Sequence, residues 1–454
     1  MFIDTHAHLF YPNFQDDLDK VLQNAKDEKI DYILIPATDL PTSTKVVELI
    51  DKYDMLYGAV GIHPHDTKNW DESSLSILKE LARHKKVVAI GEIGLDYFYD
   101  FSPKEKQIEA FRKQLELAII LDLPVIIHNR EADTDVFSIV AEYAKQGLRG
   151  QFHCFSGSLN EAKNIIGMNF FLSFTGNVTF KKTDELRTIA SNIPLHHLLL
   201  ETDSPFMTPV PHRGKRNEPA YLPIIAEKLA ELHNVPVEDI GRITSFNAFK
   251  LFGIGAKPGT SFTYKIGNSL YINVTNRCNA SCTFCDKDGD AVINGYNLKM
   301  KKSDEPPAEV YIKEIGDPKE YDEVVFCGYG EPTIRFDVVK EIAKYVKANG
   351  GRTRLNTNGH GNIINKRNIV PELKNLIDVV SISLNSSDEN QYAGLMQVEK
   401  SYFTEMKNFA LQAKAFVNKV VLTIVSIDEV EIDKARKLVE EKLGVEFRIR
   451  EYFS

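Results

Sequence analysis

Three of the five cysteines of the chain stand close together, as Cys278, Cys282 and Cys285. Thiolates on one short loop are the usual protein ligands of an iron–sulfur cluster, and a cubane cluster has four irons. Three cysteines therefore leave one iron without a protein ligand and open to another molecule. Structural zinc is the alternative, but it needs a fourth ligand, and the next histidine along the chain is His360. The spacing favours an iron–sulfur site.

Histidines and carboxylates recur in the first 254 residues, at the ends of apolar, β-branched runs. His6 and His8 are two residues apart, so on an extended chain both side chains face the same way. Later runs end at Glu92, His128, His153 and Asp203. Imidazole and carboxylate ligands suit zinc, manganese and related divalent ions. One such residue alone is more often structural, but together they predict a metal centre.

The runs that carry these residues alternate with amphipathic segments, which predicts an α/β fold. Eight strands are predicted in this part of the chain, at residues 2–5, 32–36, 56–61, 87–91, 124–127, 150–152, 170–174 and 198–201. Eight strands separated by helices over about 250 residues are typical of a (β/α)8 TIM-type barrel, whose active site lies at the carboxyl ends of the strands. The candidate ligands would therefore meet at one end of the barrel.

A second set of strands runs directly into and beyond the cysteine loop. Six strands are predicted there, at residues 270–274, 323–326, 353–356, 379–384, 419–425 and 445–449. Six strands with intervening helices predict a partial, open (β/α)6 barrel. Glycine and proline break the periodicity before it, so we expect domains at 1–254 and 269–454 with a linker over 255–268.

The first 254 residues resemble the TatD-type metal-dependent deoxyribonucleases. The motifs that carry the resemblance are DTHAH (4–8), VGIHPH (60–65), IGEIGLDY (90–97), IIHNR (126–130), FHCFSG (152–157), LETDSP (200–205) and RNEP (216–219). The resemblance implies two divalent ions, such as zinc, manganese or magnesium. It implies that one ion is held by His6, His8 and Asp203, that the other is held by His128 and His153, and that Glu92 bridges them.

The implied chemistry is hydrolysis of phosphodiesters in DNA, starting from an end. Two ions close together can activate a water and clamp the attacking and leaving oxygens. Asp203 is the candidate general base, and His63 either contacts phosphate or packs within its loop. Related barrels hydrolyse other bonds with similar ligands, so a non-DNA ester or amide, such as an aminoacyl ester, is the alternative substrate.

A net charge of −9 gives no general attraction to nucleic acid, so contact with DNA or a nucleotide needs a local basic patch. The segment 211–219 supplies Arg213, Lys215 and Arg216, and Arg130 in the IIHNR motif is a further candidate. Such cations can bind backbone phosphate without reading sequence. A solvated surface loop is the alternative for the basic segment.

Residues 265–454 resemble radical S-adenosylmethionine (SAM) enzymes, through the three cysteines with Phe284 and through the turn Cys-Gly-Tyr-Gly-Glu-Pro at 327–332. The family's turn is glycine-glycine-glutamate-proline and holds the methionine amino group, so Tyr329 is a departure. The resemblance implies a [4Fe–4S] cluster, SAM on its open iron, an electron donor, and a radical that attacks a substrate that the sequence does not specify. Further SAM contacts are implied at Gly328, Gly330, Glu331, Pro332, Asn356, Ser383 and Asn385.

The cysteine count limits this second half. Only Cys327 remains there beside the three clustered cysteines, so a second thiolate-bound cluster is not expected. The alternative to a radical enzyme is a non-catalytic iron–sulfur sensor or binding module that regulates the first half. The start of the chain does not read as a signal peptide and no apolar run is long enough to span a bilayer. With the clustered cysteines, this predicts a cytoplasmic protein without a membrane partner, while oligomeric state is not predicted.

Overall fold

The computed structural model describes residues 1–286 and 289–451. The chain divides into two compact units, Met1–Pro258 and a second unit that begins at Gly259. Among the described residues, no helix is both long and apolar enough to cross a membrane.

The first unit is a barrel of eight parallel strands in sequential order, which confirms the predicted fold. The strands are β1 Phe2–Asp4, β2 Ile30–Pro36, β3 Leu56–Val60, β4 Val87–Asp96, β5 Val125–Arg130, β6 Gly150–Phe152, β7 Phe171–Phe174 and β8 Leu198–Leu200. The helices are α1 Leu18–Asp27, α2 Leu40–Lys52, α3 Glu72–Leu81, α4 Lys104–Leu121, α5 Asp133–Ala144, α6 Leu159–Gly167, α7 Asp184–Asn192, α8 Leu222–His233 and α9 Val237–Phe252. Helices cover the strands on the outside, so most strand residues are buried apolar side chains.

Strand β4 is longer than predicted, because it continues past 87–91 to Asp96. Gly94 allows this extension. Its φ is +146°, and a Cβ atom there would lie 1.9 Å from the carbonyl oxygen of His128, so only glycine lets β4 approach β5 this closely. The extension carries Glu92 alongside the end of β5.

Hydrogen bonds between the first and last strands close the barrel. Thr5 N–H donates to the Leu200 carbonyl at 2.9 Å. The buried Asp4 carboxylate accepts from the Thr202 N–H at 3.0 Å, the Thr202 hydroxyl at 2.6 Å and the His6 N–H at 3.2 Å. Asp4 therefore fixes the ends of β1 and β8 to each other, and both ends carry candidate ligands.

The second unit is built on a seven-stranded sheet in the order β17-β16-β15-β14-β13-β10-β9. The strands are β9 Thr263–Ile266, β10 Ser269–Ile272, β11 Val292–Ile293, β12 Tyr296–Asn297, β13 Val324–Phe326, β14 Thr353–Thr357, β15 Val379–Ser383, β16 Lys419–Ser426 and β17 Glu446–Glu451, of which β11 and β12 form a separate hairpin. The six predicted strands are parallel and form the expected partial barrel. The segment 255–268 is not only a linker, because β9 within it pairs antiparallel with β10.

The helices of the second unit pack on one face of this sheet. They are α10 Ala308–Ile315, α11 Phe336–Ala348, α12 Gly361–Asn365, α13 Glu389–Met396, α14 Ser401–Ala413 and α15 Ile432–Lys437. Leu355 and Ile382 point into the apolar core beneath these helices. Because side chains alternate along a strand, Asn356 and Ser383 project from the opposite face, towards the inside of the partial barrel.

The Asp4 contacts predict a local effect on barrel closure. Asp4→Ala leaves the two Thr202 donors and the His6 N–H without their acceptor, and each unsatisfied buried group costs about 1–3 kcal/mol. We expect faster hydrogen–deuterium exchange in peptides covering residues 1–9 and 196–206 of the full-length protein. The exposed Asp16→Ala is the matched control and should not change exchange there. Equal exchange in Asp4→Ala and the native chain would contradict this role.

Candidate functional sites

One carboxylate, Glu92, lies at the centre of the ligand candidates in the first unit. Its Oε2 atom is 3.3 Å from His6 Nε2 and 3.5 Å from His8 Nε2. Its Oε1 atom is 2.7 Å from His153 Nε2 and 3.0 Å from His128 Nδ1. The two oxygens face two different pairs of imidazoles, as a carboxylate that bridges two ions must.

Asp203 completes the group formed by His6 and His8. Its Oδ1 atom is 3.5 Å from His8 Nε2 and 3.9 Å from His6 Nε2. The backbone of Asp203 is left-handed, with φ of +56°, and its N–H donates to the His6 carbonyl at 2.8 Å. Non-glycine residues seldom adopt this conformation, and here the end of β1 holds it in place.

Hydrogen bonds on the far side of two rings direct their free nitrogens inward. His8 Nδ1 lies 3.1 Å from the Pro36 carbonyl and donates to it, which leaves the Nε2 lone pair facing Glu92. His128 Nε2 lies 3.0 Å from Asp96 Oδ2 and donates to it, which leaves the Nδ1 lone pair facing Glu92. Metal-binding histidines are oriented in this way by carbonyl and carboxylate partners.

These groups need a positive charge between them. Burial lowers the pKa of His6 to about 4, so its imidazole is neutral. Burial also acts to lower the pKa of His153, but the Glu92 and Glu201 carboxylates outweigh it and raise that pKa to about 9. Burial acts to raise the pKa of Glu92, but the surrounding imidazoles bring it well below its ordinary value. A divalent cation beside Glu92 would replace the proton that the carboxylates stabilise on His153, so the residues fit metal ions.

His63 faces the same carboxylate from the loop after β3. Its Nε2 atom is 3.6 Å from Glu92 Oε1. The His65 N–H donates to His63 Nδ1 at 3.2 Å, so the ring proton is on Nε2. Burial lowers the pKa of His63 well below its ordinary value, which keeps the ring neutral. His63 can therefore donate a hydrogen bond to an anion beside Glu92.

A cavity of about 590 Å³ opens over these residues. Arg130 lines it at the end of β5, together with Asn129. The remaining lining residues come from the loops after the strands and from the site itself: His8, Tyr11, Thr38, His63, His65, Asp66, Glu92, Asp96, Tyr99, His128, His153, Cys154, Ser156, Asp203, Phe206 and Met207.

The basic segment 211–219 divides into residues with different surroundings. Arg216 forms a two-pronged ion pair with Asp17, at 2.7 and 2.8 Å, and also donates to the Asn13 carbonyl. Its guanidinium therefore ties the segment to the start of α1, and its contact with substrate stays a prediction. Arg213 is exposed and stacks its guanidinium 3.8 Å from the centre of the Phe180 ring, and Lys215 is exposed. Neither lines the cavity over the metal-ligand candidates.

Two supporting carboxylates, Asp96 and Glu201, have no role in the predictions above. Asp96 also lies 2.8 Å from His65 Nε2, and its Oδ1 accepts from two backbone N–H groups. Glu201 is buried 3.8 Å from His153 Nδ1, and burial raises its pKa to about 8. Within the described residues, His153 Nδ1 has no hydrogen-bond partner, and Glu201 is the carboxylate that faces this nitrogen. Asp96 could have been found from the sequence by following the strand pattern past Gly91.

The cysteine loop of the second unit is fixed by backbone hydrogen bonds. The N–H groups of Ser281 and Thr283 donate to the carbonyls of Met396 and Leu395, at 3.1 and 2.9 Å, at the end of α13. The Ala280 N–H lies 3.4 Å from Cys278 Sγ. The Asn358 amide lies 3.8 Å from the same sulfur. Donors aimed at a sulfur suit a thiolate that binds iron, so the loop fits a cluster.

The glycine turn after β13 packs against the strand end that leads into this loop. A Cβ atom on Gly330 would lie 2.3 Å from the Thr275 carbonyl oxygen, so a larger residue does not fit. The Glu331 carboxylate is buried and accepts from the Thr357 hydroxyl at 2.8 Å and from the Asn358 N–H at 2.7 Å. Glu331 thus joins the turn to the end of β14, and its side chain has a structural role.

The other predicted SAM contacts lie at neighbouring strand ends or in the cysteine loop. Asn356 and Asn385 each have a buried side-chain oxygen without a hydrogen-bond partner among the described residues, which fits a polar ligand. Ser383 accepts from Arg450 at 3.4 Å. Phe284 is half-buried beside Cys285, while Gly328 and Pro332 belong to the glycine turn.

Comparison with known proteins separates the same two regions. Residues 3–253 match the family model described as TatD related DNase, and residues 272–441 match that of the Radical SAM superfamily. The uncharacterized metal-dependent hydrolase YabD of Bacillus subtilis is 48% identical over 254 residues, which cover 56% of this chain and 100% of that protein. The 3'-5' ssDNA/RNA exonuclease TatD of Erwinia tasmaniensis is 34% identical over 257 residues, covering 55% of this chain and 99% of that protein.

A solved structure agrees with these matches. The crystal structure of YjjV, a TatD homologue from Escherichia coli, has a TM-score of 0.54 and 33% sequence identity, and covers 56% of this chain and 98% of that chain. The family model covers the barrel and every residue of the metal-ligand group described above. The chain therefore belongs to the TatD related DNase family, as a metal-dependent hydrolase domain joined in one polypeptide to a radical SAM domain.

Proposed function

We propose that the first unit hydrolyses phosphodiester bonds of DNA from an end, using two divalent ions. The observation that carries this proposal is the division of ligands between the two oxygens of Glu92. One oxygen faces His6 and His8, and the other faces His128 and His153. The name of the Erwinia relative, an exonuclease, supports a nucleic-acid substrate.

Each side chain of the site would have its own role around the phosphodiester. When bound, the two ions would polarise the phosphate and lower the pKa of water. Asp203 is placed to accept a proton from the attacking water, because its carboxylate borders both the ligands and the cavity. His63 donates from Nε2 to a phosphate oxygen, and Arg130 adds positive charge at the cavity wall. Arg213 and Lys215 would contact phosphates farther along the strand.

Removing the Asp203 carboxylate tests this assignment. Loss of a general base lowers rates about 10²–10⁴-fold, so Asp203→Ala should cut end-labelled single-stranded DNA at least about a hundredfold more slowly with manganese or magnesium. Chelation should abolish cleavage by the native chain, and added metal should restore it. The exposed Asp54→Ala is the control and should match the native rate.

The outcomes separate the two hydrolase substrates. If the metal-loaded native chain leaves DNA intact but an aminoacyl ester or another small ester is hydrolysed with dependence on Asp203, the alternative substrate replaces DNA. DNA cleavage that persists in Asp203→Ala would contradict the assigned site itself.

For the second unit we propose one [4Fe–4S] cluster on Cys278, Cys282 and Cys285, with SAM on the open iron. Bound together, they would supply a 5′-deoxyadenosyl radical. The protein's part is to hold the loop on α13 and to present the glycine turn with the polar strand ends around it. An external electron donor is required, and the substrate that loses hydrogen is not assigned.

Anaerobic SAM cleavage tests this second proposal. With a strong reductant, the native chain should form 5′-deoxyadenosine and show cluster absorbance, and Cys278→Ala should lose both. Cys327→Ala is the matched control because Cys327 is outside the loop, and it should keep its cluster. A full cluster without any 5′-deoxyadenosine would favour the non-catalytic sensor instead.

A further inference from the structure

Three aromatic side chains stand exposed in the segment between β4 and α4. Phe98, Tyr99 and Phe101 are 50%, 40% and 55% exposed. Single exposed aromatics are common on proteins, but a contiguous group beside a cavity marks a contact surface. We call these three residues the aromatic platform.

The platform has a defined geometry. The rings of Tyr99 and Phe101 are stacked, with centroids 5.1 Å apart and planes at 19°, and Phe98 stands at 90° to Tyr99 with centroids 4.7 Å apart. The Arg130 guanidinium lies 4.0 Å from the centre of the Phe98 ring and 4.8 Å from that of Tyr99. A cation is thus held against flat apolar faces at the edge of the cavity.

The platform is continuous with the site described above. Tyr99 and Arg130 both line the cavity over the metal-ligand candidates. His65 contacts the platform edge-on, with ring centroids 5.4 Å from Tyr99 and 4.8 Å from Phe101, and its Nε2 lies 2.8 Å from Asp96, the carboxylate that orients His128. The platform therefore borders the His128 end of the site.

A further exposed aromatic residue, Phe206, borders the other end of the site. Phe206 is 52% exposed, and the centre of its ring lies 5.9 Å from the centre of the Tyr11 ring. The rings of Phe206 and Tyr11 both contact the His8 ring, with centroids 6.3 and 5.3 Å away. Aromatic faces thus stand beside both groups of ligands that Glu92 separates.

Unpaired nucleobases are the occupant that this surface fits. Bases stack on aromatic side chains irrespective of sequence, and Arg beside the rings pairs with the phosphate. Bases within a duplex are already stacked and paired, so their faces are not free for these rings. An apolar protein segment would leave the Arg130 charge without a counter-ion, whereas a nucleotide supplies both a ring and an anion.

We propose that Phe98, Tyr99 and Phe101 form a base-stacking subsite with Arg130 on the adjacent phosphate, and that Phe206 stacks the base on the other side of the scissile bond. The inference rests on the proposed nuclease function, and it adds the residues that recognise the nucleotide.

The test compares two labelled single strands, one unmodified and one with abasic sites at the terminal nucleotides of both ends. We expect the native, manganese-loaded chain to prefer the unmodified strand. In Phe98→Ala/Tyr99→Ala/Phe101→Ala, the ratio of the two kcat/KM values should fall at least about tenfold, the change expected from losing one base stack. The leucine variant Phe98→Leu/Tyr99→Leu/Phe101→Leu keeps apolar bulk without flat rings, and should show the same fall.

Ile120→Ala is the control, because it removes a 70% exposed apolar side chain on α4 outside the cavity. It should keep the native ratio. Binding of both strands, measured by fluorescence anisotropy, is a readout that does not require cleavage. If the native chain cuts neither strand but the platform variants lose preferential binding of bases, the nuclease function fails and the subsite stands. An unchanged ratio and unchanged binding preference in both platform variants would overturn the subsite.

Discussion

The position of Glu92 is the constraint on which the first unit depends. A buried carboxylate is stable only when opposite charge and hydrogen bonds compensate its desolvation. Glu92 is held by its own N–H, which donates to the Ala37 carbonyl at 2.9 Å, and by the long β4 strand. Its partners come from four other strand ends, so they reach it only when the barrel is closed. Asp4 and Thr202, which join the first and last strands, therefore also set the geometry of the site.

A buried carboxylate has a different task in the second unit. Burial raises the pKa of Glu331, and the Asn358 N–H, the hydroxyls of Thr333 and Thr357 and the Thr333 N–H all donate to it. All these donors come from the chain itself, so this carboxylate connects two strand ends rather than facing a ligand. Asn358 then reaches Cys278, which links the glycine turn to the cysteine loop. The two motifs of the radical SAM domain are thus parts of one hydrogen-bonded structure.

The ligand candidates could be predicted because strand ends in a parallel barrel meet at one face. The prediction of His6 and His8 as ligands required only the two-residue period of a strand. The prediction of Glu92 required only its place after an apolar run. Asp96 lies in the IGEIGLDY motif but beyond the predicted strand 87–91, so no role is predicted for it, whereas Gly94 permits β4 to continue alongside β5 as far as Asp96. Sequence shows the charge of Arg216, which predicts a phosphate contact, but it does not show the partner that the structure gives this side chain, Asp17, 199 residues away. Strand β9 lies within the predicted linker 255–268 for a related reason, because its pairing with β10 is not visible in its composition.

Manganese titration of the iron-free, full-length chain, followed by electron paramagnetic resonance, tests the bridging role of Glu92 most directly. Two ions that share one carboxylate are magnetically coupled, so the second equivalent of manganese should convert the isolated-ion signal into that of a coupled pair. Glu92→Gln should weaken binding and leave only isolated ions. Saturation at one ion per chain, or two uncoupled ions in the native protein, would contradict the account.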